Sequence, residues 1–339
     1  MTTTSPINEA RRHANDTRYQ PGQRAGHYES FFVRANHPTQ PQAFWIRYTI
    51  FSPDGRPEDA RGELWAVMFD GKRGTHTAAK TEVPIASCDF RRDGLGAYVA
   101  DARLEPGRIV GAAASGGHTI AWDLTFTGNA EPLFALPLEM YAARLPRAKT
   151  LVPLPLATFR GTINVDGHPY PIFDWVGSQN HNWGSRHTDH YAWGQVAGFD
   201  DAPQTFLEIA TARLKIGPLW TPFMTLLVLR HGGRDVAMNG LVQSLRARGR
   251  FSCFDWTFRS DSPGHTVEGR ISAPRESFVG LRYDNPPGGV KHCLNSKLAS
   301  CVMSFTDKTA GTTTLLESSR RAAFEILTDD TTHGVPIVA

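Results

Sequence analysis

The residues best able to do chemistry crowd into one stretch, Phe173–Trp193, which reads FDWVGSQNHNWGSRHTDHYAW. It holds Asp174, Gln179, His181, Asn182, His187, Asp189 and His190, together with Trp175, Trp183 and Trp193. His168 lies just upstream, so four of the chain's 13 histidines fall between positions 168 and 190. An imidazole or a carboxyl is a suitable proton donor, and neighbouring amides can orient it or hold a water. Indole rings line apolar pockets, and their π faces attract developing positive charge. The set therefore suits protonation of a carbon–carbon double bond in an apolar pocket. His181 or Asp174 is the expected donor. Asn182 and Gln179 are the expected orienting amides, and Trp175, Trp183 and Trp193 the expected walls. Asp174 stands inside an apolar run, where a charge needs a partner or gives way to the protonated form.

Other chemistries fit less well. His187, Asp189 and His190 are ligand types for zinc or iron, yet the pattern HxxxxxHxDH is no metal signature, and adjacent strand residues point to opposite faces. No metal is expected. The stretch YDNPPGGVKHCLNS sets Cys293 beside His292, but sequence neighbours diverge and a thiolate nucleophile is not expected. Tyr283 is instead expected to line the cavity rim. No GxGxxG, Walker A, GxSxG or HExxH motif occurs, which disfavours the common nucleotide-cofactor enzymes.

The elements that must position these groups read as β-strands. Short runs such as AFWIRYTIF, ELWAVMF and HTIAWDLTF alternate with polar positions, and Asp-Gly pairs punctuate them. Capped helical runs of ten or more residues are nearly absent, and no βαβ rhythm occurs. The pattern predicts an all-β fold in two domains. A polar N-terminal tail spans 1–26, a first β domain 27–156 and a second 157–330, with the break in a proline-rich stretch around 130–156. Proline is excluded from sheet interiors, which motivates that boundary.

Composition narrows the partners. The 339 residues carry 36 Lys and Arg against 33 Asp and Glu, a net charge of +3. That balance does not build a phosphate-neutralising surface, so nucleic acid is not expected. Four cysteines without a CxxC pair suit a reducing compartment. The opening MTTTSPINEARRHANDTRYQ has no apolar run, and no stretch is long enough for a transmembrane segment. The reading is a soluble, cytoplasmic protein with an apolar small-molecule substrate.

The quoted segments carry a resemblance. Gln179 and His181-Asn182-Trp183-Gly184, then Tyr283, Pro286, Gly288, Cys293, Asn295 and Ser296, and the opening Phe44-Trp45 with Tyr48, are similar to a known group. Over about residues 27–328 the chain resembles the family that joins carotenoid 1,2-hydratase (hydroxyneurosporene synthase) with AttH-like proteins, and more distantly tocopherol cyclase. The resemblance implies two lipocalin-like (calycin-type) antiparallel β-barrels packed together around an apolar cavity. It implies a lyase or isomerase that hydrates or cyclises an isoprenoid or polyketide-type substrate at a C=C bond, without a metal or organic cofactor. His181, Asp174 and Asn182 would be catalytic, and Trp183, Gln179, Trp175, Trp193 and Tyr283 would bind the ligand. Two other readings use the same residues: a non-catalytic carrier of an apolar ligand, and an interaction protein whose barrels are filled by side chains.

Overall fold

The computed structural model describes residues 5–339. It is nearly all β, in two antiparallel sheets that each curl into a barrel. The first sheet begins with the meander His27–Asn36, Gln42–Ser52, Arg61–Asp70 and Thr75–Pro84. On the other side of His27–Asn36 lies the long strand His168–Gly184, followed by Ala148–Val165, His118–Thr127 and Arg108–Ser115. Side chains complete the circle: Ser115 accepts from the Lys80 amide at 2.9 Å, and Thr81 Oγ1 from the Ala114 amide at 2.9 Å. The second sheet runs from Arg234–Met238 through Met224–His231, Phe206–Arg213, His190–Ala197, Thr312–Thr328, Val290–Asp307, His265–Ser272 and Asp255–Asp261 to Arg248–Ser252. It closes where Gly249 lies on Thr211 and Thr225, too tightly for any Cβ.

Period-two patterning explains the packing. Phe31, Val33, Phe44, Ile46, Tyr48, Trp122 and Trp175 turn inward and fill the first barrel. Leu207, Ile209, Trp256, Ile271 and Phe324 do the same in the second. The two barrels are therefore filled, and neither interior supplies the ligand hollow that a lipocalin-like barrel suggests. Outward-facing residues of both meet in a third cluster, the seam, built from Phe32, Trp45, Trp65, Phe69, Trp193, Leu281, Tyr283, Cys293 and Leu298.

Two boundaries differ from expectation. Ala148–Val165 and His168–Gly184 pair within the first sheet, so the chain passes between sheets after Gly184 and not near 157. The prolines expected to break the chain, Pro153 and Pro155, sit at register shifts of a continuous strand, where a missing amide costs no ladder bond. The hairpin that follows turns on Asp166 and Gly167, with φ of 52° and 86°, as a two-residue primed turn requires. The N-terminal segment is more than a polar tail. Pro6–Arg12 is helical, and Ala14, Asp16, Thr17 and Tyr19 are buried against the first barrel as a strap. Among the described residues no helix is long and apolar enough to cross a membrane.

Candidate functional site

Strand His168–Gly184 is the wall shared by two polar clusters. Its side chains alternate, so Gln179, His181 and Trp183 face the first barrel's mouth, while Ser178, Asn180 and Asn182 face the seam. The register fixes this: His181 lies opposite Phe31, an inward residue, and Asn182 opposite Ser30, an outward one.

The inner cluster is a closed ion pair. His181 Nδ1 donates to the Ala14 carbonyl at 2.8 Å, and Nε2 to Glu29 Oε1 at 2.8 Å. A ring that donates from both nitrogens carries a positive charge. Glu29 also accepts from the Arg18 amide at 2.8 and 3.0 Å, the Tyr19 amide at 2.7 Å and His27 Nε2 at 3.0 Å. Burial alone would raise the Glu29 carboxyl, but the hydrogen bonds from His181 and His27 outweigh it and hold the group down at about 2. Gln179 Nε2 reaches Asn15 Oδ1 at 3.0 Å. Phe31 stacks on the imidazole at 4.2 Å, and Trp183 lies 4.7 Å away. Both His181 and Glu29 side chains are 0% exposed. Their hydrogen-bonding capacity is taken up, and the strap covers them.

Two expected partners of His181 lie elsewhere. Asp174 takes φ of 53° at a bulge that turns it outward, where Arg160 binds it through two bonds of 2.6 and 3.1 Å at the exposed surface. Because of the same bulge, Ile172 and Trp175 both turn inward, and Trp175 packs 5.9 Å from Phe44 in the first barrel's core. His187 and His190 also separate. His187 stacks between Tyr28 at 4.0 Å and Tyr283 at 5.7 Å, whereas His190 meets Phe251 at 4.8 Å. Burial pushes the His187 ring down to about 3, which leaves it neutral.

The seam gathers the rest. Gln195 is one hub. It donates to Asn180 Oδ1 at 2.7 Å and Glu208 Oε2 at 2.9 Å, and accepts from Arg34 at 2.8 Å and Ser178 at 2.6 Å. Trp193 Nε1 donates to the other Glu208 oxygen at 2.7 Å. Burial raises the Glu208 carboxyl to about 7, with the Trp193 and Gln195 hydrogen bonds only partly offsetting it. Lys297 is the second hub. It donates to Glu325 Oε1 at 2.7 Å and to Asn295 Oδ1, and Asn295 also bonds Glu325 at 3.1 Å. Burial lowers the Lys297 ammonium despite Glu325 beside it. Arg47 donates to Ser30 at 2.8 and 2.6 Å and lies 4.7 Å over the Tyr283 ring. Desolvation also pushes the phenols of Tyr28, Tyr191 and Tyr283 upward, so they stay protonated.

Two polar atoms in the seam have no partner among the described residues: Asn182 Oδ1 and Trp45 Nε1. A buried polar atom left unpaired in a native protein calls for a water or a ligand. Trp193, Glu325 and Tyr283 also keep 9%, 8% and 6% of their surface accessible although they lie between the two barrels. Of the sequence-predicted residues, the seam thus holds Asn182, Trp193 and Tyr283. His181, Gln179 and Trp183 belong to the strap cluster. Glu208, Glu325, Lys297, Arg34 and Arg47 were missed. Their signal was present: FLEIA and AAFEIL each set one carboxylate inside an apolar strand, the same feature that singled out Asp174.

A fold of two packed antiparallel β-barrels has solved counterparts. A structure of a protein described as an AttH from Nitrosomonas europaea superposes with a TM-score of 0.54 at 13% identity, covering 91% of this chain and 94% of that one. Kievitone hydratase from Nectria haematococca gives 0.52 at 11% identity, covering 93% and 92%. The protein CghA gives 0.53 at 11% identity, covering 92% and 93%, and has also been solved with the compound Sch210972. These likenesses establish the fold. In sequence, an uncharacterized protein of Mycobacterium tuberculosis is 25% identical over 278 residues, 81% of this chain and 80% of its own length. No family model matches the chain.

Proposed function

We propose that the protein is a hydratase- or cyclase-like enzyme that acts on a C=C bond of an apolar isoprenoid or polyketide-type substrate, with the seam as its active site. The observation that carries this reading is the pair of seam carboxyls in opposed environments. Glu208 is held up to about 7 by burial and keeps its proton near neutrality. Glu325 instead accepts from Lys297 and Asn295. A buried carboxyl that holds its proton and a second carboxyl bound to an ammonium, in one site, can serve as proton donor and proton acceptor. Trp193 stands between them: it hydrogen-bonds Glu208 and pairs in register with Glu325 on the next strand. Two strand spacings and a stagger of two residues put the two carboxyl-bearing residues roughly 12 Å apart, room for an alkene and a water.

In this reading Glu208 gives its proton to one alkene carbon, and the π electrons form the new C–H bond. The cation left on the other carbon lies beside Trp193, whose π face attracts it. In hydration, water adds to that carbon and passes a proton to Glu325, from which it returns to Glu208. In cyclisation, a hydroxyl of the substrate captures the cation instead, and its proton passes to Glu325 and back to Glu208, so the product is an isomer. Kievitone hydratase, a neighbour in fold, is by its name a hydratase, which supports the hydration branch.

The test is incubation with a panel of prenylated and polyene substrates in ¹⁸O-labelled water, followed by mass spectrometry. Uptake of one label marks hydration, and an unlabelled isomer marks cyclisation. Recovery of bound but unconverted ligand across the panel would replace catalysis with carriage. Glu208→Gln keeps the shape but removes the acid, so it should abolish conversion while ligand binding persists. Equal turnover in E208Q would remove Glu208 from the mechanism.

A further inference from the structure

We infer that the rim of the second barrel formed by residues 213–223, the helix Leu241–Arg246 and the strand Arg248–Ser252 is a docking surface for an anionic lipid bilayer. Among the described residues thirteen large hydrophobic side chains are exposed, and six of them lie here: Ile216 at 68%, Leu219 at 72%, Trp220 at 40%, Leu241 at 57%, Val242 at 59% and Leu245 at 46%. Apolar side chains concentrated in this way mark an interaction surface.

Charge indicates the occupant. Residues 211–250 contain seven Lys and Arg and one acid, Asp235, a net +6. The whole chain nets +3, so the remainder carries −3. Asp235 is held by Arg230. Among the described residues, no carboxylate pairs with Arg213, Lys215, Arg246, Arg248 or Arg250. Arg213 instead lies over Trp220 at 4.3 Å and Phe223 at 4.8 Å, with its Nε buried and unpartnered. A second copy docked symmetrically would set these cations against one another. An anionic surface would neutralise them, with the indole at the headgroup level.

The three pieces follow one another along strand Arg248–Ser252, the hairpin at its C-terminal end and the helix at its N-terminal end. The Phe223 ring meets Phe251 at 5.5 Å, joining the hairpin base to strand Arg248–Ser252, and Ala247 alone separates that strand from the helix. Gly217, with φ of 59°, turns the hairpin that carries Ile216, Leu219 and Trp220. Behind it opens a cleft of about 540 Å³ lined by Trp220, Phe251 and Arg213 and by the carboxylates Asp189, Asp329 and Asp330, of which Asp189 is paired with Arg186 and Asp329 with Lys291. Since no described helix can cross a bilayer, the contact is peripheral. It does not depend on the seam's chemistry.

The experiment is sedimentation of the full chain with phosphatidylcholine vesicles, with and without phosphatidylglycerol. Wild type should bind only the anionic vesicles well and release as salt is raised. Each cation near such a surface contributes about a factor of five, so K215Q/R248Q/R250Q should weaken binding on the order of 100-fold. L219S/W220S should lose it too, with far-UV circular dichroism unchanged in both variants. Equal binding to neutral vesicles, salt-insensitive binding by wild type, or no vesicle binding would overturn the proposal. So would a solution dimer that L219S/W220S dissociates, because the patch would then belong to a second copy.

Discussion

The two faces of strand His168–Gly184 hold the same kinds of residue and come to opposite ends. On the inner face, His181 and Glu29 are charged, buried and surrounded by partners, and the strap lies over them. On the outer face, Glu208, Glu325, Lys297 and Arg34 are as deeply placed, yet Asn182 and Trp45 keep unpaired atoms and Trp193 keeps accessible surface. Burial and titratability are therefore shared by both and decide nothing. What separates them is accessible surface beside the network, which Trp193, Glu325 and Tyr283 keep and His181 and Glu29 do not; unpaired atoms alone do not separate them, since Thr17 Oγ1 in the strap is also unpartnered. A saturated network rigidifies, and an unsaturated one between two bodies can bind.

The largest expected effect lies on the outer face. Glu208→Gln should reduce turnover by about 10²–10⁴, the usual contribution of a positioned acid, without lowering the urea midpoint. The mirror experiment is His181→Ala, which leaves Glu29 buried without its main partner. It should cost about 3–5 kcal/mol in urea unfolding, while turnover per folded molecule stays near wild type. If H181A lost turnover but not stability, the division between the two faces would fail.

Titration sharpens the contrast, because the faces should respond to pH with opposite sign. Glu29 falls from its ordinary 4.5 to about 2 on folding. Its stabilisation is complete above about pH 4.5 and is lost as pH falls towards 2, on the order of 3 kcal/mol in all. Glu208 rises from 4.5 to about 7 on folding, so stability should decline as pH rises through that window. Urea unfolding of E29Q and E208Q across pH 3–8 should flatten one limb each; a shared response would show the clusters to be one. The smallest effect is expected outside both. Asp174→Asn removes an exposed ion pair but keeps a side chain that tolerates the positive φ, so it should leave the urea midpoint close to wild type and turnover unchanged.

Much of this architecture was legible in the sequence. Alternating runs and Asp-Gly turns marked the strands, and Asp166-Gly167 turns as read. The long strands at 148–184 were less legible because proline was taken as a break, whereas bulges absorb Pro153 and Pro155. The site was half legible for a related reason. Composition located His181 and Asn182 together, but a strand sends neighbours to opposite sides, and only the register with Phe31 and Ser30 tells which goes where. Asp174 misled because a bulge is invisible to alternation. Glu208 and Glu325 lie far from the histidine-rich stretch, and only folding brings them to it.

The double duty of His168–Gly184 also bears on how such a chain can change over generations. Inserting or deleting one residue between Val176 and Trp183 would exchange the two sets of side chains, sending the imidazole into the crevice and the asparagine under the strap. Substitutions there can be tried one at a time, whereas a shift in frame alters both clusters at once. Length in this segment should thus be guarded more strictly than composition, and variation in length should collect in the connecting loops.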